Sequence, residues 1–240
     1  MYSLYQIVVS FDFYGVIFVE CGYEVGSIVG GSVATPYSLP WQVGLVDPGK
    51  NRTWCGGTLI GPNHVLTAAH CMGYPLEIIV GEHDINDEED GTRHEVCETT
   101  SHPEYNDVTV EYDFAIVRLS KPVKIGLRAM PACLPDKNDQ RMAGDALAGE
   151  TVTVSGWGNP SSNATNQNTL LHVVHVPAMS NQECSQTGYS TYVNPKTGEI
   201  EPIEIIDAML CAGHTEGGID ACQGDSGGRS SQYHDLIAQY

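Results

Sequence analysis

The stretch that organises this chain reads Asp220-Ala221-Cys222-Gln223-Gly224-Asp225-Ser226-Gly227-Gly228. Glycines on both sides of Ser226 let the backbone turn tightly and approach a bound molecule closely. A serine in such a turn can present its hydroxyl to a carbonyl carbon, while neighbouring N–H groups face the oxygen that becomes negative. The alternative is a surface loop, because Gly, Asp and Ser are common turn residues. The choice depends on whether the chain also supplies a base, an orienting acid and a pocket.

Length and patterning indicate an all-β protein. The chain has 240 residues, enough for a sizeable core in one all-β domain or two smaller units. Short runs rich in Val, Ile and Thr, separated by Gly, Pro and Asn, dominate over helical periodicity.

The formal net charge is -19, from 30 acidic and 11 basic residues. Such a charge repels nucleic acid, favours solubility and attracts basic substrates. A simply acidic secreted surface is the other interpretation.

Eight cysteines without a Cys-x-x-Cys pair favour a disulfide framework over a zinc site and indicate an extracellular, secreted protein. The sequons Asn51-Arg52-Thr53 and Asn163-Ala164-Thr165 are compatible with secretion and glycosylation. Residues 1–27 contain an apolar run, Ile7 to Val19, interrupted by Asp12. This segment resembles a degenerate secretory signal or propeptide and is too short and polar to span a membrane. An aberrant segment outside the natural product is the alternative.

Three motifs in order carry a family resemblance: Thr67-Ala68-Ala69-His70-Cys71, Asp113-Phe114-Ala115-Ile116-Val117-Arg118-Leu119, and Gly224-Asp225-Ser226-Gly227-Gly228. With this His, Asp, Ser order, the chain resembles the chymotrypsin/trypsin family of serine endopeptidases from residue 28 to residue 228. The resemblance implies a trypsin-like domain over 28–240 with two six-stranded antiparallel barrels, the first at about 28–135 and the second, incomplete, at about 136–240.

The resemblance assigns catalytic roles to single residues. Ser226 matches the nucleophile, His70 the base and Asp113 the acid that orients the imidazole. The backbone N–H groups of Gly224 and Ser226 match the oxyanion hole. His172 and His175 lie in a strand-like run and are interpreted as structural.

Two more acids receive roles from the same resemblance. Asp220 matches the floor of the pocket for the substrate residue before the cleaved bond, where a carboxylate selects Lys or Arg. Asp225 matches the acid that pairs with the new amino terminus, here Ile28, after zymogen cleavage. Ser27 stands where the family has Arg or Lys, so either another protease cleaves there or the amino terminus is not the natural one.

The resemblance also implies disulfides, namely Cys55–Cys71, Cys184–Cys211 and a propeptide tether Cys21–Cys133. Cys97 and Cys222 remain, and Cys97 is either free or paired between molecules.

The loop Gly81 to Gly91 resembles the calcium loop of some trypsins, with Glu82 and Glu89 at ligand positions. Thr92 replaces a further glutamate, so an acid-rich solvated loop is the favoured interpretation. Residues 191–206 form an insertion whose centre, Pro195 to Gly198, predicts a hairpin at the rim of the cleft.

Residues 227–240 follow the nucleophile, whereas the family continues with three further strands and a helix. Residues 229–240 resemble none of these, so we expect a truncated form whose second half folds poorly.

The sequence therefore predicts a secreted serine endopeptidase that cleaves after Lys or Arg and requires no cofactor. Its predicted partners are protein and peptide substrates and protein protease inhibitors, without nucleic acid or a membrane span. The alternatives are a non-catalytic homologue that binds a partner and an acidic calcium-binding module, which leaves the His, Asp and Ser motifs unexplained.

Overall fold

The computed structural model describes residues 32–50, 52–134, 144–158, 168–186, 191–194, 197–207, 209–213 and 236–239. Its strands in chain order are β1 (Ser32–Val33), β2 (Gln42–Val46), β3 (Thr53–Gly61), β4 (His64–Thr67), β5 (Glu77–Val80), β6 (Thr92–Ser101), β7 (Ala115–Leu119), β8 (Thr151–Gly156), β9 (His172–Met179), β10 (Thr191–Val193), β11 (Ile200–Pro202), β12 (Met209–Ala212) and β13 (Leu236–Gln239). Helix α1 spans Asn181–Gln186, and short 3₁₀ turns lie at Ala69–Cys71 and Gly144–Leu147. No helix within the described ranges is long and apolar enough to cross a membrane.

The first half is a closed barrel of six antiparallel strands in the order β2-β3-β4-β7-β6-β5. Strand β7 illustrates why these sequences form it. Ala115, Val117 and Leu119 point inward and are buried, whereas Arg118 points outward and is exposed. Apolar side chains at every second position fill the interior of a small barrel. The shared core includes Val43, Leu45, Leu59, Val65, Ile78, Val117 and Leu119.

The second half contributes an open five-stranded sheet among the described residues, with the path β1-β9-β12-β13 and β8 paired to β9. The predicted all-β, chymotrypsin-like class with an incomplete second barrel is confirmed by this architecture. The predicted hairpin is present as β10 and β11, paired from Thr191↔Pro202 to Val193↔Ile200.

The alternating pattern of β2 predicts one buried and one exposed face, but all five of its residues are buried. Its outer face packs against the second half. Ser155 Oγ donates a hydrogen bond to Gln42 Oε1 at 2.6 Å, and Gly44 leaves room for Thr53 and Trp157. The interface between the two halves therefore covers the face that a lone strand would expose to water.

Candidate active site

His70 is placed by a short turn at the end of β4. The hydroxyl of Thr67, the last residue of β4, donates to the carbonyl of Gly56 at 2.7 Å. The chain then enters the 3₁₀ turn Ala69–Cys71, and Cys71 is bonded to Cys55 on β3. His70 is thus held between a paired strand and a disulfide.

Asp113 lies just before β7, the neighbour of β4 in the barrel. Thr67 at the end of β4 pairs with Ala115 at the start of β7. His70 and Asp113 therefore lie at the same end of adjacent strands. The His70 backbone N–H donates to Asp113 Oδ1 at 2.8 Å, and His70 Nδ1 is 2.5 Å from Asp113 Oδ2. The side chains are 17% and 10% exposed, respectively, which shields the contact while keeping the imidazole accessible.

An aromatic cluster supports the segment that carries Asp113. The His102 ring stacks on Tyr112 with centroids 4.9 Å apart and contacts Phe114 at 4.6 Å. The His102 backbone N–H also donates to the Phe114 carbonyl at 2.9 Å. Tyr112 and Phe114 are the chain neighbours of Asp113, so these contacts limit the movement of its backbone.

The geometry determines the tautomer of His70. An ionised carboxylate only accepts hydrogen bonds, so Nδ1 carries the proton that is directed at Asp113. Nε2 is then left as an acceptor, which is the protonation state a general base needs. The other residues that the resemblance assigns to the site lie outside the described ranges: the nucleophile Ser226, the oxyanion-hole residue Gly224, the pocket residue Asp220, and the activation pair Asp225 and Ile28.

Two of the disulfides implied by the resemblance are present, Cys55–Cys71 and Cys184–Cys211. Cys133 is also disulfide-bonded, and its expected partner Cys21 lies outside the described residues. One ring nitrogen of His70 and the sulfur atoms of Cys55 and Cys71 lie within 4.8 Å of one another. Because these sulfurs are bonded to each other, the group is a disulfide beside an imidazole and not a set of metal ligands.

The remaining predictions on histidine and cysteine concern β9 and β6. His172 Nδ1 is 2.9 Å from the Leu170 carbonyl, and His175 Nδ1 is 2.9 Å from Thr153 Oγ1. Both contacts agree with structural roles. Cys97 is a free, exposed thiol that donates to the Arg118 carbonyl at 3.3 Å.

The acidic loop brings Glu82 into the interior and leaves Glu89 exposed. Burial, followed by the nearby charge of Asp90, raises the pKa of Glu82 to about 8, although a hydrogen bond from the His83 N–H acts in the opposite direction. A buried carboxylate among other acids is the kind of group that a cation neutralises.

Asp90, which the sequence reasoning missed, is the main acceptor in this loop. Its carboxylate accepts hydrogen bonds from the backbone N–H groups of His83 and Asp84 and from the Tyr37 hydroxyl. Arg128 lies 3.4 Å from it and stacks over the Tyr37 ring. Burial raises the Asp90 pKa, but these hydrogen bonds outweigh it, so the net pKa is lowered. The Asp90-Gly91 pair, a turn signal, is the feature that could have identified it.

The loop's donor set thus fits a calcium ion only in part. Glu82 is suited to it, whereas Asp90 already has protein partners and Glu89 faces solvent. Within the described residues, no three acidic or histidine side chains of this loop gather their ligand atoms within 4.8 Å.

The same loop joins the two halves of the protein. The His83 carbonyl accepts hydrogen bonds from the Leu171 N–H at 2.8 Å and from the indole N–H of Trp157 at 3.2 Å. The Ile85 backbone N–H donates a hydrogen bond to the Thr169 carbonyl at 2.9 Å. Since Trp157 is fully buried, these bonds fix how the halves meet.

Comparison with known proteins is consistent with this geometry. Residues 28–230 match the family model described as Trypsin. The beta subunit of clotting factor G from Tachypleus tridentatus is 35% identical over 219 residues, covering 87% of this chain and 67% of that protein. Serine protease 1 of Rattus norvegicus is 37% identical over 202 residues, covering 84% and 73%, respectively. The structure of mouse neuropsin, a serine protease, superimposes with a TM-score of 0.67 at 27% identity, covering 88% and 82%.

Proposed function

Because the chain belongs to the trypsin family of serine proteases, we propose that it is a secreted endopeptidase that hydrolyses peptide bonds after Lys or Arg. The observation that carries the proposal is the double hydrogen bond between His70 and Asp113. That contact prepares the imidazole as a base, and a base of this kind serves a hydroxyl nucleophile. Ser226, in its glycine-rich stretch, is the nucleophile we assign.

In the proposed reaction His70 Nε2 accepts the hydroxyl proton of Ser226 as its oxygen attacks the carbonyl carbon. The Gly224 and Ser226 N–H groups stabilise the negative oxygen that forms. His70 then gives its proton to the leaving amine as the C–N bond breaks, and an acyl-enzyme ester remains. Water, deprotonated by His70, then attacks the ester carbonyl. The bond to Ser226 Oγ breaks, Oγ takes the proton back from His70, and the acid product is released.

Substrate choice rests on Asp220 in this proposal. A carboxylate in a desolvated pocket binds Lys or Arg by a charged hydrogen bond and rejects neutral side chains, which leave it unpaired. The net charge of -19 adds a long-range attraction for basic substrates. The partners are then proteins and peptides with accessible Lys or Arg, together with protein inhibitors that present the same side chains.

Activation is assigned to a new amino terminus at Ile28 that pairs with Asp225 and orders the oxyanion hole. Because Ser27 precedes Ile28, the activating protease must differ from trypsin in specificity. Secretion is supported by the observed disulfides, which persist in oxidising compartments. Calcium is proposed only as a structural ion with Glu82 as a ligand and takes no part in the reaction.

The test is hydrolysis of an arginine anilide by the purified protein before and after cleavage of the Ser27–Ile28 bond, together with labelling by a fluorophosphonate. We expect activity and labelling after cleavage, both abolished in Ser226→Ala. Asp220→Ala should lose arginine substrates and gain phenylalanine substrates. Absence of hydrolysis and of labelling in the cleaved protein would overturn the proposal and favour a non-catalytic homologue.

A further inference from the structure

Tyr112, the residue before Asp113, has a left-handed backbone conformation. Its φ is 54°, in a region that a bulky side chain adopts only at an energetic cost. Such a conformation persists where the surrounding structure holds it, and it is found most often at functional sites. Because tyrosine lacks the backbone freedom of glycine, contacts with the rest of the protein must keep Tyr112 in this conformation.

The bend that begins at Tyr112 places Asp113 at the centre of a γ-turn. The Phe114 backbone N–H donates to the Tyr112 carbonyl at 2.8 Å, and a hydrogen bond between residues two apart defines this turn. Strand β7 begins at the next residue, Ala115. The direction in which the Asp113 carboxylate leaves the chain therefore depends on the backbone conformation of this turn.

His102, which directly follows β6, contacts both chain neighbours of Asp113. Its ring is nearly parallel to that of Tyr112, with an interplanar angle of 19° and centroids 4.9 Å apart. The same ring lies 4.6 Å from the Phe114 ring at an angle of 43°. The His102 backbone N–H also donates to the Phe114 carbonyl at 2.9 Å. One residue thus packs against both ends of the γ-turn.

The imidazole of His102 is itself fixed by the turn that follows it. The Glu104 backbone N–H donates to His102 Nδ1 at 3.3 Å, and the Tyr105 backbone N–H donates to the His102 carbonyl at 3.0 Å. Because Nδ1 accepts, the neutral ring carries its proton on Nε2. These bonds set the plane of the ring before it stacks on Tyr112.

The Asp113 carboxylate has little freedom to move without losing a contact. Its Oδ1 accepts from the His70 backbone N–H at 2.8 Å, and its Oδ2 lies 2.5 Å from His70 Nδ1. A rotation of the γ-turn would disturb both contacts at once. A displacement of about 1 Å in a catalytic arrangement can reduce the rate by about 100-fold.

We propose that His102 is a positioning residue: its ring, stacked on Tyr112 and Phe114, holds the γ-turn that directs the Asp113 carboxylate to His70. It acts through Asp113 and does not contact the reacting atoms. Its effect on rate rests on the proposed function, whereas its effect on the contact between His70 and Asp113 requires no reaction.

Two variants separate the ring of His102 from its hydrogen bond to Glu104. His102→Phe keeps the stacked ring and loses the acceptor. His102→Asn loses the ring and keeps an acceptor, because an asparagine side chain commonly bonds to the backbone two residues further on. With an arginine anilide, we expect kcat to fall about tenfold in His102→Asn, with KM little changed. His102→Phe should keep the wild-type kcat.

A proton NMR measurement tests the positioning role without any reaction. A proton in a short, charge-assisted hydrogen bond resonates at low field, so the Nδ1 proton of His70 reports its contact with Asp113. In the Ser226→Ala protein we expect this resonance to be retained in His102→Phe and to move upfield or broaden in His102→Asn. Urea unfolding of the same variants measures any general loss of stability.

The outcomes distinguish positioning from general stabilisation. A wild-type kcat and an unchanged resonance in folded His102→Asn would overturn the proposal, even if that variant unfolds more easily. Equal losses of kcat and of the resonance in His102→Phe and His102→Asn would also overturn it, because the ring would not be the cause. If the wild type hydrolyses nothing but the resonance depends on the ring, the positioning role stands and the catalytic proposal fails.

Discussion

His70 and Asp113 share two hydrogen bonds: the His70 backbone N–H donates to Oδ1 at 2.8 Å, and Nδ1 lies 2.5 Å from Oδ2. One carboxylate therefore fixes both the main chain and the side chain of the histidine. Oδ1 of Asp113 must accept the hydrogen bond from the His70 backbone N–H. This requirement fixes how the side-chain amide of an asparagine at position 113 would be oriented.

Asp113→Asn should fold but lose activity. The amide oxygen must accept from the His70 N–H, which turns the NH₂ group toward Nδ1 and forces Nδ1 to accept. The proton then resides on Nε2, and the imidazole is no longer a base. We expect kcat to fall on the order of 10⁴-fold at neutral pH, measured with an arginine anilide. Asp47→Asn, at an exposed acid of the first barrel, is the control, and activity within tenfold of wild type in Asp113→Asn would refute the tautomer argument.

Val110→Asn should stabilise the protein. Val110 has a φ of 55°, in the left-handed region that a β-branched residue adopts at a cost of roughly 1–2 kcal/mol. Asparagine tolerates that region, so the free energy of unfolding should rise by about 1 kcal/mol. Urea unfolding measures it. Val108→Asn, at a neighbouring valine without a positive φ, should give no gain, and equal effects at the two positions would speak against backbone strain.

Glu82→Gln should change the pH dependence of stability. The folded pKa of Glu82 is raised from 4.5 to about 8, first by burial and then by Asp90. Between pH 4.5 and about pH 8, Glu82 keeps its proton in the folded state but has released it in the unfolded chain. The free energy of unfolding therefore falls as the pH rises through this range. The variant removes that decline and should melt roughly 5 °C or more higher than wild type at pH 8, with little difference at pH 4.

Glu89→Gln, at an exposed acid, is the control for Glu82→Gln and should leave the pH profile unchanged. Added calcium should raise the melting temperature of the wild type at pH 8 more than that of Glu82→Gln, because only the ionised carboxylate binds the ion. Identical pH slopes in wild type and Glu82→Gln would contradict the assignment of a buried, protonated carboxyl.

Gly44→Ala should weaken the junction of the two halves. A Cβ atom at position 44 would lie 2.6 Å from Thr53 Cγ2 and 3.7 Å from Trp157. Both neighbours are buried, so overpacking should cost about 1–3 kcal/mol in urea unfolding. Gly126→Ala is the matched control, since no atom lies within 4 Å of its added Cβ. Comparable losses in the two variants would show that crowding at β2 is not the cause.

Much of the chemistry was readable from local sequence. The motifs around His70, Asp113 and Ser226 identified the family, because each places a reactive side chain among the neighbouring residue types that its turn or strand requires. Short runs rich in Val, Ile and Thr predicted an all-β protein, and the turn residues at its centre predicted the β10–β11 hairpin. These features depend on residues that are adjacent in the chain.

Tertiary structure decided what depends on residues far apart. His70 and Asp113 are separated by 43 positions, and their contact exists because β4 and β7 are neighbours in a closed barrel. Asp90 also accepts a hydrogen bond from Tyr37, 53 positions away, a contact that its neighbours in the acidic loop do not predict. The outer face of β2 is buried because the second half covers it. Side-chain type is local information, whereas a partner's position is set by how the strands close around a common core.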